Sequence, residues 1–251
     1  MRKIPIYSFL LFLLLILLWE WTARGMSELV LPAPSVIGET LYSGLISGYF
    51  HAHIVQTSVE VLIGLLLGSL LGILFGILMG EFEFLRKLLF PYVIASQAVP
   101  KLALAPLFIL WFGLGMTSKI IITTLICFFP LLENTVTAIQ YTDHRKLELF
   151  RVLGASRWQT LLQLKLPAGL PGIMAGFRVA SVLAVVGAVV GEFIGGSQGL
   201  GALIIASQGM MDTPLMFSVL ILLTALGTFL YFMIELIEKR VLKPYVKEKK
   251  R

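Results

Sequence analysis

Apolar positions along this chain come in unbroken runs rather than in alternation with polar ones. Such runs recur at 4–23, 54–79, 88–111, 120–139, 173–194 and 214–237, each long enough to cross a hydrocarbon core of about 30 Å as a helix. The pattern predicts an all-α, polytopic membrane protein with six transmembrane helices. A β-barrel also satisfies its backbone in lipid, but it needs strands of about ten residues that alternate apolar with polar, and stretches such as 10–18 show no alternation. Arg2 and Lys3 ahead of the first run have the look of a secretory signal. Trp19, Glu20 and Trp21 stand where a small-residue cleavage site belongs, so the run is read as a retained helix.

Composition agrees: 58% of the 251 residues are hydrophobic and 14% charged, against roughly 45–50% and about 25% in soluble domains. The placement of the charges adds a direction, because Lys and Arg gather on the cytoplasmic side. With the N-terminus inside, the inner segments hold Arg2 and Lys3, Arg86 and Lys87, the basic residues from Arg145 to Lys165, and a tail from Lys239 to Arg251; the outer segments hold only Arg24 and Lys119. Both termini are predicted to be cytoplasmic. The net charge of +6 is thus a topology signal and a contact with lipid headgroups, with no nucleic-acid motif among its residues. Cys127, the single cysteine, lies within the fourth run and is read as a small core residue.

Between the first two runs, Leu31-Pro-Ala-Pro-Ser35 reads as an extended lead-in, with Ser35 as cap of a short interfacial helix reaching about Ile46. The second run carries Gly64, Gly68, Gly72, Gly76 and Gly80, one every fourth residue. On a helix that spacing makes a groove for close backbone approach, either within the subunit or across a dimer. The third run is interrupted by Pro91, Pro100 and Pro106. Broken helices are tolerated at membrane depth where protein or a water-filled cavity surrounds them, so Gln97, Pro100, Lys101 and Pro106 are the candidate pathway residues. Lys101 either serves transport or snorkels or pairs with a carboxylate such as Glu192.

The connection 140–172 is the most informative. Leu147, Phe150, Arg151 and Leu153 give a short helix an apolar face, Gly154 is a left-handed stop, and Ser156 with Gln159 forms a capping box opening a second helix that Pro167 is expected to terminate. Two short amphipathic helices outside the membrane have little to bury against in this chain, and so look built to dock on a partner. Glu148, Gly154 six residues on, then Leu164, Leu166 and Pro167 reproduce a known spacing: E-A-A, three residues, G, nine residues, I, any residue, L-P. This resembles the coupling loop of ATP-binding-cassette (ABC) importer permeases, although Leu149 and Phe150 replace the alanines and Leu164 the isoleucine. Leu31-Pro-Ala-Pro-Ser35, Pro106-Leu-Phe-Ile-Leu-Trp-Phe-Gly-Leu-Gly115 and Gly199-Leu-Gly201 are similar to the branch serving nitrate, sulfonate, taurine and pyrimidine-type solutes.

The resemblance implies a type I importer permease fold in the bacterial cytoplasmic (inner) membrane. Residues 1–53 would form an N-terminal helix and outer segment, 54–238 a five-helix permease core, and 239–251 a basic tail. It further implies a second permease subunit, as homodimer or heterodimer, separate ATPase subunits that bind ATP and Mg, and an extracytoplasmic solute-binding protein, with no cofactor in this chain. Glu148, Gly154, Ala155, Ser156, Leu166 and Pro167 would then couple transport to the ATPase. No phosphate-binding loop G-x-x-x-x-G-K-[ST] stands in the chain, so energy is expected from another polypeptide. The rival reading is an ion-coupled secondary transporter or channel, disfavoured because the acids cluster near span ends, as at Glu81, Glu83, Asp143, Glu148 and Glu238. An intramembrane enzyme or metal site is disfavoured because His51 and His53 read as solvated loop residues and no H-E-x-x-H or G-x-S-x-G is present.

Overall fold

The computed structural model describes residues 4–247; Arg2, Lys3, Lys249, Lys250 and Arg251 of the charge reading lie outside the described residues, as do the side chains of residues 4, 5, 101, 102 and 244–247. Every element described is helical: α1 (Ile4–Ala23), α2 (Pro34–Ile46), α3 (His51–Glu81), α4 (Glu83–Ala98), α5 (Lys101–Phe112), α6 (Met116–Gln140), α7 (His144–Val152), α8 (Arg157–Thr160), a π-helical turn (Leu161–Lys165), α9 (Leu166–Gly195), α10 (Leu200–Gly209) and α11 (Thr213–Lys247). Among the described residues, five helices are long and apolar enough to cross a membrane: α1, α3, α6, α11 and the continuous helix Arg157–Gly195.

The expected third span is a bent pair, α4 and α5, meeting at 105°, and makes a sixth span when the two are taken together. The bend falls where Pro100 precedes α5 and Val99 is extended, with φ −72° and ψ 126°. Proline offers no N–H to continue α4 and pushes its predecessor out of the helical region. Pro91 and Pro106 sit inside their helices.

Helix α6 is gripped from two sides by glycine rows. On α3, Gly64, Gly68, Gly72, Gly76 and Gly80 meet Thr123, Cys127, Leu131, Thr135 and Ile139 in that order, so the two helices run parallel. A parallel pair in succession obliges the α4–α5 segment to carry the chain back across the bundle. A Cβ on Gly68 would stand 2.7 Å from the Thr124 carbonyl oxygen, and one on Gly72 2.7 Å from that of Phe128. These backbones are in contact, and the groove left open by the sequence packs within the subunit. On the other side, Gly176, Gly187 and Gly191 of antiparallel α9 meet Asn134, Thr123 and Lys119. Lipid tails give no hydrophobic drive for helix association, so such close approach supplies the attraction. Cys127 is fully buried here, its thiol 3.4 Å from the Ala180 carbonyl.

Ser35 does not cap α2. Ala33 takes that place, Pro34 opens the helix, and Ser35 donates both its N–H (3.0 Å) and its hydroxyl (2.8 Å) to Glu20 of α1. A carboxylate from the neighbouring helix therefore satisfies the positive end of α2.

Candidate functional site

The loop after α6 is built by local hydrogen bonding. Asp143 caps α7 by accepting from the Arg145 N–H. At the far end the Gly154 N–H donates to Arg151 (3.1 Å) and the Ala155 N–H to Phe150 (3.0 Å), with Gly154 at φ +71°. This pairing of a six-residue and a four-residue bond around a left-handed glycine closes the helix as a Schellman motif. Ser156 then accepts from the Gln159 N–H (3.2 Å), while the Gln159 side chain accepts from the Ser156 N–H (2.8 Å), the reciprocal capping box. Leu147 and Phe150 face inward, half-buried, whereas Leu149, Val152, Leu153 and Trp158 stand exposed beside basic Arg145 and Lys146.

Pro167 does not end the second helix. The chain widens into the π-helical turn, whose last bond runs from the Leu166 N–H to the Leu161 carbonyl, and Pro167 falls in the first turn of α9, where a missing N–H costs nothing. The loop's second helix is thereby the lower end of a membrane span. Lys165 anchors it to α3 through an ion pair with Glu81 at 2.6 Å, both side chains largely buried. Glu81, Glu148, Arg151, Gly154, Ala155 and Lys165 contribute to the walls of one polar cavity of about 510 Å³. Ser156, Leu166 and Pro167 lie outside it.

The opposite end of the bundle holds a cluster that sequence reading missed. The acids are not confined to span ends: Glu60 of α3 and Glu192 of α9 are both buried. Lys119, expected on an outer segment, lies in the first turn of α6 with its Nζ 3.0 Å from Glu60 Oε1. Gln56 donates to the same oxygen at 2.6 Å, and Lys119 also donates to the Gln198 carbonyl at 3.3 Å. Glu192 accepts from the Thr57 hydroxyl and from the Gly201 N–H, each at 2.6 Å, and so is engaged by other groups than Lys101. Thr57 in turn accepts from the Leu200 N–H at 2.8 Å. His51 and His53 stand in the first turn of α3 rather than on a loop, and His53 Nδ1 lies 2.9 Å from the Gly199 carbonyl. The Gly199-Leu-Gly201 motif now has a cause. Gly199 has φ +127° and a Cβ there would overlap the Glu192 carboxylate, while one on Gly201 would be 2.8 Å from it.

In the membrane, Gln97 and Pro100 share a cavity of about 630 Å³ with Phe129, Glu133, Asn134 and Leu183. Pro106 lies outside its walls, and the Lys101 side chain is not among those described.

Residues 64–243 match the family described as binding-protein-dependent transport system inner membrane component. The chain is 38% identical over 233 residues to the riboflavin transport system permease protein RibX of Chloroflexus aurantiacus, covering 92% of this chain and 87% of that one. It is 36% identical over 241 residues to the formylaminopyrimidine transport permease protein ThiX of Halalkalibacterium halodurans, covering 95% of each. It is 34% identical to the putative aliphatic sulfonates transport permease protein SsuC of Bacillus subtilis, covering 86% of this chain and 79% of that one. In fold it is similar to a chain of the MetNI methionine ABC transporter in inward-facing form, with a TM-score of 0.67 at 20% identity, over 75% of this chain and 94% of that one. The glycine-packed bundle, its helical loop and these likenesses agree: the chain is a multi-pass inner-membrane protein of the binding-protein-dependent transport system family, the ABC importer permeases.

Proposed function

We propose that this chain is the membrane-spanning subunit of an ATP-driven importer and that loop 140–172 couples it to a separate ATPase carrying ATP and Mg. One observation carries the reading: a rigid α7–Gly154–α8 turn presents Leu149, Val152, Leu153 and Trp158 to the outside, an apolar face rimmed by charge that this chain leaves uncovered. Its second helix continues as a transmembrane span, so a force on the loop acts directly on the membrane bundle. A second copy of this chain completes the pathway, a solute-binding protein delivers the solute from outside, and both termini face the cytoplasm. The solute is a small molecule of the nitrate, sulfonate or taurine type, or a pyrimidine-type precursor, in line with what the relatives are named for.

The test is co-expression with an ABC ATPase subunit from the same organism. The expected result is a complex that co-purifies and is lost or inactive when Gly154→Val breaks the turn. Transport by this chain in vesicles without any ATPase would favour an ion-coupled carrier instead.

A further inference from the structure

Glu133 is an anomaly that neither the packing nor the coupling loop uses. It stands on α6 about two turns before the helix ends at Gln140, in the stretch that packs against α3 and α9, yet its side chain is exposed. No hydrogen bond or ion pair holds it among the described residues. A carboxylate at that depth facing lipid is costly, so it belongs to a water-filled space. The cavity of about 630 Å³ supplies that space, in the size range of small-molecule sites, about 300–1,000 Å³.

Among the described residues the walls carry a single charged group. Glu133 offers only acceptors. Asn134 spends one N–H on the Pro130 carbonyl at 2.8 Å, leaving its second N–H and its carbonyl oxygen. Gln97 adds one amide, which both donates and accepts, and Pro100, Pro130, Val179 and Leu183 give apolar surface. An acceptor-only anion such as nitrate or a sulfonate finds amide donors here but must lie beside the negative charge of Glu133. A planar ring carrying N–H donors finds acceptors for its edge and apolar surface for its face. The amidine edge of an aminopyrimidine, protonated on its ring nitrogen, pairs with a carboxylate through two parallel bonds.

We propose that Glu133, with Gln97 and Asn134, forms a solute-contact site in the translocation pathway that passes neutral or cationic nitrogen heterocycles and turns back acceptor-only anions. This rests on the importer reading above and narrows its solute to one class.

The experiment uses the complete importer in proteoliposomes, with its ATPase and binding protein, and three labelled probes: formylaminopyrimidine, riboflavin and ethanesulfonate. The expected result is uptake of one or both heterocycles and none of ethanesulfonate. Glu133→Gln should lower that uptake at least tenfold and Glu133→Lys abolish it, Glu133→Asp should restore most of it, and all three variants should still co-purify with the ATPase. Uptake of ethanesulfonate, or unchanged heterocycle uptake in Glu133→Gln and Glu133→Lys, overturns the site while leaving the importer reading intact. Failure of the parent chain to associate with any ATPase overturns both.

Discussion

Replacing Lys119 with methionine removes the only cation that, among the described residues, faces Glu60 in the buried cluster. Nζ stands 3.0 Å from the carboxylate and the two side chains are 5% and 0% exposed. At an effective dielectric constant of about 20, that pair attracts by about 5 kcal/mol. Removing one partner leaves a buried charge with no counter-ion, for which the usual loss is about 3–5 kcal/mol. Lys119→Met should therefore destabilise the subunit by that amount, read as a shift in its unfolding free energy on titration with a denaturing detergent in mixed micelles. The double variant Glu60→Gln with Lys119→Met carries no unpaired charge and should recover at least half of the loss. Gln56, which donates to Glu60 at 2.6 Å, remains to serve the new amide. If Lys119→Met alone lies within about 0.5 kcal/mol of the parent, the size of an ordinary surface change, the cluster is solvated and the reasoning fails.

Three further outcomes follow from the packing and the loop. Gly72→Leu sets a side chain against the Phe128 carbonyl and Leu131, within 2.8 Å of each from its first carbon, and should part α3 from α6, seen as loss of folded subunit on size-exclusion chromatography. Gly154→Val puts a β-branched residue at φ +71°, where even an ordinary residue costs about 1–2 kcal/mol; ATP hydrolysis stimulated by loaded binding protein should fall with it and survive in Gly154→Asn, a residue that tolerates that region. Ser156→Ala removes one arm of the capping box, a loss of about 1 kcal/mol, and should speed amide hydrogen exchange at Gln159 about fivefold, the amide that Ser156 now holds.

Features that rest on neighbours in sequence were legible before the structure. The turn at Gly154 and the cap at Ser156 follow from a few consecutive residues whose backbone needs decide the geometry, and the two helices fell where those signals put them. The glycine row was legible as a surface but not as a contact, because spacing on one helix says nothing of which helix covers it. Pro167 misled for a related reason: a π-helical turn ahead of it supplies the bonding change that a straight helix lacks, and no residue type announces such a turn. Glu60 escaped notice, while Lys119 reads as an outer charge and Glu192 as a partner for Lys101, so the three are never joined. They lie on three helices far apart in the chain, and charge counted segment by segment scatters what the fold brings within 3.0 Å. Glu133 was hidden in the same way, one acid inside an otherwise apolar run.

The helix from Arg157 to Gly195 runs through the π-helical turn for 39 residues, close to 58 Å at about 1.5 Å per residue. It ties one end of the bundle to the other. Its lower end is tied to α3 by Lys165 and Glu81, and its upper end holds Glu192 against Thr57 and the Gly201 amide. Under the coupling proposed above, a tilt imposed at the loop is carried along this helix to the Gly199–Gly201 turn at the opposite end of the bundle.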